Sequence, residues 1–139
     1  MRDAVVIHHD PCLGGGGERV FLNVVEALHE MGFRVGVLSL EPLRDECFVR
    51  FYGRGVLDKV SWSISVGARM RYLGIYKKML LATAPYLLPF HVHGGGIVFS
   101  TGGDLLLFFS GVLIHYIHFP PPVLLFRNRY PSKYVSGFW

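Results

Sequence analysis

Charge is scarce in this chain: 17% of its 139 residues are Asp, Glu, Lys or Arg, against 51% hydrophobic. That ratio excludes a solvated, disordered polymer and fits one domain with a real core. It also leaves apolar surface for something other than water: another domain, a partner or a membrane. Cysteine is nearly lacking. Cys12 and Cys47 are far apart and too few for a disulfide framework, so the simpler expectation is two thiols in a reducing compartment. Long apolar runs are missing too. Leu105–Phe109 and Val112–Phe119 are separated by Ser110 and Gly111, and neither reaches the roughly 18 apolar residues of a spanning helix. The start, Met1-Arg2-Asp3 before Ala4–Ile7, is too short and acidic for a signal peptide. Together these absences predict a cytoplasmic protein, free or peripheral on the cytoplasmic membrane face.

The net charge of +4 calls for anionic company. Nucleic acid is the weakest candidate, since there is no dense Lys/Arg stripe, no aromatic RNA-binding signature and no zinc-finger spacing. Phosphates and anionic headgroups remain.

What is present reads as alternating strands and helices. Ala4–His8 is a short β-branched run, typical of a buried parallel strand. Four glycines, Gly14 to Gly17, follow it. From Glu18 the period changes, and Val20, Phe21, Val24, Val25 and Leu28 form one helical stripe, with Gly32 placed as its C-terminal cap. Val35–Leu40 is a second strand, which completes one βαβ unit. Pro42–Phe51 reads as a short helix and Leu57–Trp62 as a third strand. Ala68–Leu81 has helical spacing, with Tyr72, Tyr76 and Leu80 in one row, and ends before Pro85 and Pro89. Ile97–Thr101 and Val112–His118 are the fourth and fifth strands. The fold class expected is α/β: a Rossmann-like parallel sheet with helices on both faces.

In such sheets ligands bind outside the carboxyl ends of the strands. His8, His9, Asp10 and the glycine loop leave the first strand there. Glu41 leaves the second, Gly102, Gly103 and Asp104 the fourth, and His118 the fifth. Glycines bring backbone amides close to a ligand, and the helix behind them adds unpaired donors and its positive dipole end. A phosphate or diphosphate is the natural guest for Gly14, Gly15, Gly16 and Gly17. The loop is not a Walker A motif, because Glu18-Arg19 stands where Lys-Ser/Thr is needed. It is not a dinucleotide fingerprint either: Arg19 or Val20 occupies the third glycine position, although Glu41 mimics the ribose-binding acid.

Gly14-Gly15-Gly16-Gly17-Glu18-Arg19-Val20 and Ile114-His115-Tyr116-Ile117-His118-Phe119-Pro120 resemble strings of the GT-B glycosyltransferases of family 4. Within that family the chain is most similar to the α-1,2-mannosyltransferases that extend dolichol-pyrophosphate-linked oligosaccharides. The resemblance covers residues 1–139 as the N-terminal, acceptor-side Rossmann-like domain, incomplete and without the C-terminal donor-binding domain. It implies that Gly15–Gly17 approach the diphosphate of a nucleotide-sugar such as GDP-mannose, with Gly14 in the same loop. It implies that His118 is catalytic, bonding the transferred sugar. His8, His9, Asp10 and Asp104 lie where acceptor contacts belong, though no string matches there; His29, His91, His93 and His115 read as structural. The family's paired glutamates belong to the other domain, so Glu18 and Glu26 do not inherit that role despite their spacing. No Asp-x-Asp pair is present to hold a metal, in keeping with the family's metal-independent chemistry, and no cofactor beyond the nucleotide-sugar is expected.

The function expected is part of a retaining transferase acting on a lipid-linked glycan or polysaccharide, inactive alone for want of its missing C-terminal domain or partner chain. The rival is a non-catalytic acceptor-binding or membrane-recruiting subunit of a split transferase. The basic, aromatic segments 68–81 and 123–139 suit either a peripheral membrane contact or a solvated face and domain interface.

Overall fold

The computed structural model describes residues 2–66, 96–101 and 112–116. In chain order they form β1 (Asp3–His8), α1 (Gly16–Glu30), β2 (Arg34–Ser39), α2 (Asp45–Tyr52), a 3₁₀ turn (Leu57–Lys59), β3 (Trp62–Ser65), β4 (Ile97–Ser100) and β5 (Val112–His115). The strands make one sheet in the order β3-β2-β1-β4-β5, and every pairing is parallel. This is an α/β, Rossmann-like sheet. Its order reverses at β1, which makes the carboxyl ends of β1 and β4 the switch point where sheets of this kind place ligands.

Strand alternation sorts the core into two layers. Ala4 and Val6 of β1 join Val35 and Val37 of β2 beneath Phe21, Leu22, Val25 and Leu28 of α1, with Phe48 of α2 and Val56 alongside. On the opposite face Val5, Ile7, Leu38 and Val98 are buried, with Trp62 and Leu113 packed against them. Each such apolar side chain contributes about 1.5–3 kcal/mol through burial. Both faces of the central strands are therefore dry, which suits their near-continuous apolar sequence.

The helix ends are set by particular residues. α1 closes in a Schellman motif: Gly32 N–H donates to His29 and Phe33 N–H to Leu28, with Gly32 at φ +80°. α1 begins at Gly16, two residues before the change of period suggests. α2 carries Asp45 and Glu46 in its first turn, where acids suit the dipole, and closes on Gly53 at φ +73°. The expected strand over Leu57–Trp62 is displaced. The Asp45 carboxylate accepts the amides of Val56 (2.7 Å) and Leu57 (3.0 Å), which bends this stretch into the 3₁₀ turn. Pairing with β2 starts only at Trp62.

Gly36 lies mid-strand opposite Trp62, and a Cβ there would overlap the indole ring. Gly36→Ala is expected to destabilise by about 2 kcal/mol, lowering the thermal midpoint by roughly 6 °C. An unchanged midpoint would mean that the indole does not rest on this strand.

Two expectations concerning cysteines and membranes meet the structure directly. Cys12 and Cys47 are joined by a disulfide, with Cα atoms 5.2 Å apart, so the expectation of two thiols is corrected. Spacing along the chain hid the pairing: the fold brings the loop after β1 against α2, across 35 residues. A stable disulfide belongs to oxidising surroundings, so the pair no longer supports a reducing compartment. Among the described residues, no helix is long and apolar enough to cross a membrane. The expected helix over 68–81, the positions Gly102, Gly103, Asp104 and His118, and the tail over 123–139 lie outside the described residues.

Candidate functional site

Parallel pairing puts all carboxyl strand ends on one edge. There β1 ends at His8, β2 at Ser39, β4 at Ser100 and β5 at His115, with Thr101 just past β4. His8 shares the α1 side of the sheet with Ala4 and Val6, so it turns inward and is 4% exposed. Its ring stacks on Phe21, centroids 4.8 Å apart. Of the trio expected to face an acceptor, His9 and Asp10 are half-buried, whereas His8 is enclosed. The Asp10 carboxylate accepts the Cys12 amide at 2.9 Å, which turns the chain into the glycine loop.

The Thr101 hydroxyl is 3.0 Å from the Ile7 carbonyl, which also accepts the Thr101 amide, and 2.7 Å from His8 Nδ1. Which of the hydroxyl and Nδ1 donates follows the His8 tautomer. His8 Nε2 has no hydrogen-bond partner, and Glu18 Oε1 lies 3.7 Å from it. That separation is ion-pair contact rather than a hydrogen bond.

Glu18 is the residue the sequence conceals. It belongs to the buried stripe Glu18, Phe21, Leu22, Val25 and Leu28, and is 6% exposed. Its other oxygen, Oε2, accepts the Gly15 amide at 2.6 Å. This is half of a capping box, since Gly15 has no side chain to return the bond. The neighbouring His8 imidazole holds the Glu18 carboxyl below the ordinary range; burial works against this, and the amides of Glu18 and Gly15 reinforce it. An ionised carboxylate thus sits on the positive end of α1.

The glycine loop has a defined shape. Gly14 adopts φ +73° with the Phe51 ring against it, close enough that a Cβ would lie 2.9 Å from the ring. Gly15 is the N-cap of α1, and Gly16 and Gly17 are its first two residues. Gly15 and Gly16 are exposed. With the Gly15 amide given to Glu18, the amides of Gly16 and Gly17 are the donors that α1 leaves without intrahelical partners.

No known protein family, curated protein or solved structure matches this chain. The chemistry must be read from the groups themselves. The edge at β1 and β4 combines a 15-residue helix N-terminus, two small exposed residues at its tip, and a buried His–Glu pair directly beneath. Sequence reasoning missed His8 as a partner of α1, and Thr101 and Glu18 altogether. Alternation along β1 and β4 carries the signal for the first two: positions 4, 6 and 8, and 97, 99 and 101, share one face. For Glu18 the signal is an acid on an apolar helical stripe.

A hollow of about 610 Å³ lined by Leu43, Arg44, Asp45, Glu46, Cys47 and Leu57 lies elsewhere, since no glycine-loop residue lines it. The Asp45 carboxylate there is committed to backbone amides.

Proposed function

We propose that this chain is the N-terminal, acceptor-side part of a retaining, nucleotide-sugar-dependent glycosyltransferase of the GT-B type. Its glycine loop approaches the donor diphosphate, and the reaction needs a second domain or partner chain. The observation that carries the reading is the N-terminus of α1, glycine-lined, opening at the β1/β4 switch point of a parallel sheet. Amides and dipole there stabilise negative charge as it grows on a leaving diphosphate, and fixed donors need no reorganisation at the moment of bond cleavage. The resemblance of residues 14–20 and 114–120 to family 4 strings supports GDP-mannose as donor and a lipid-linked glycan or polysaccharide as acceptor. On the same resemblance His118 bonds the transferred sugar; His9, Asp10 and Asp104, with no matching string, are assigned toward the acceptor from their places after the strands. A peripheral membrane contact would suit a lipid-linked acceptor.

The anion site is tested by titrating the chain with inorganic pyrophosphate and GDP while following backbone amide shifts. The amides of Gly15–Glu18 are expected to move together. A Cβ at Gly17 meets nothing closer than His8 Cε1 at 3.9 Å, so Gly17→Ala folds normally. Its methyl tilts toward the helix N-terminus, where the anion would lie, and binding should fall at least about tenfold. Unmoved glycine amides at saturating pyrophosphate would defeat the proposal.

A further inference from the structure

Beyond its own turn at Asp10 and the Glu18 carboxylate, the loop that carries the glycines is held by a second helix. Three of its residues are gripped by one turn and a half of α2. Cys12 is bonded to Cys47, Gly14 is backed by the Phe51 ring, and the Gly15 carbonyl accepts the Tyr52 hydroxyl at 2.5 Å. Cys47 and Phe51 share a face of this helix at i, i+4, and Tyr52 flanks it one position on. Phe48, on the same helix, is fully buried beside Phe21, so α2 is anchored to the core and can serve as a rigid splint.

The three holds differ in strength. Phe51 is 46% exposed, and the Tyr52 hydrogen bond lies at the surface, where water competes for both groups. The covalent bond is the hold that solvent cannot replace. It also stands at the start of the loop, two residues before the positive-φ turn at Gly14.

We propose that the Cys12–Cys47 disulfide is a redox clamp on the glycine loop. Oxidised, it keeps the Gly14–Gly17 backbone in its anion-receiving shape; reduced, the loop opens and anion affinity falls. What the loop binds rests on the anion-site reading above, while its ordering by α2 does not. The reductant is a dithiol. One of its thiolates attacks a sulfur of the pair, giving a mixed disulfide and releasing the other cysteine as a thiolate. The second dithiol sulfur then displaces the first cysteine. Two electrons pass to the protein, the reductant becomes a disulfide, and its two protons end on Cys12 and Cys47.

The test is hydrogen exchange of the full chain, oxidised and after dithiothreitol, with the redox state fixed by a mass gain of two hydrogens. The amides of Cys12 and Gly15, bonded to the Asp10 and Glu18 carboxylates, are expected to exchange at least about tenfold faster in the reduced form, while the amides of β1 stay protected. The double variant Cys12→Ser/Cys47→Ser should match the reduced chain and ignore dithiothreitol. Pyrophosphate titration should show weaker binding for both than for the oxidised chain. Equal loop exchange in fully reduced and oxidised chains would overturn the clamp. So would loss of protection throughout β1, because the bond would then staple the whole domain. Faster loop exchange on reduction, with pyrophosphate bound by neither form, would uphold the clamp and reject the anion site.

Discussion

Phe21→Ala is expected to remove about 4 kcal/mol of stability, a large share of what a domain of this size possesses. Phe21 is fully buried, with His8 on one side at 4.8 Å and Phe48 on the other at 5.7 Å between ring centroids. It thereby joins β1, α1 and α2 in one stack. Truncation leaves a cavity lined by two rings held from different elements, and neither can close it without moving its own backbone. The lost contacts and the unfilled space both count, which is why the cost exceeds the transfer energy of a phenyl group. Urea denaturation at neutral pH measures it. Phe21→Leu retains more of the volume and should cost about 1.5 kcal/mol. A loss below about 1 kcal/mol for the alanine variant would mean that the stack does not hold the three elements together.

That stack also shows which parts of the molecule sequence could reveal. The βαβ unit is legible because its signals are local. The β-branched run of β1, the change of period just after the glycine run and the left-handed glycine after Met31 each act within a few residues. The start of β3 is not local: Asp45, more than ten residues away, takes the amides of Val56 and Leu57 and decides where the strand can begin. The disulfide is hidden for the same reason. Two cysteines 35 residues apart meet only because the β1 loop and α2 lie at the same edge. In the site, the glycine loop is visible in composition, whereas its clamp and the buried pair below it depend on tertiary neighbours. Glu18 is the sharpest case. In sequence it reads as an acid opening a helix, yet its carboxylate faces inward because Gly15 N–H and His8 together offer it two partners.

Those two partners make Glu18 the second position of large effect. Glu18→Ala is expected to cost about 3 kcal/mol, since it strands the Gly15 amide and empties buried space beside His8. Glu18→Gln should cost only about 1 kcal/mol at neutral pH. Its carbonyl can still accept from Gly15 in the same place. The pH dependence separates charge from shape. The folded-state pKa of Glu18 lies below its usual 4.5, chiefly through His8, so the ionised form favours the fold. That stabilisation is complete above about pH 4.5, the unfolded value, and is lost as pH falls through the lower folded value. The gap between wild type and Glu18→Gln should therefore be widest at neutral pH and close in acid, where a protonated Glu and a Gln are near-isosteric and both neutral. A gap that stays constant from pH 7 to about pH 3, or grows in acid, would mean that Glu18 stabilises α1 through hydrogen-bond geometry alone.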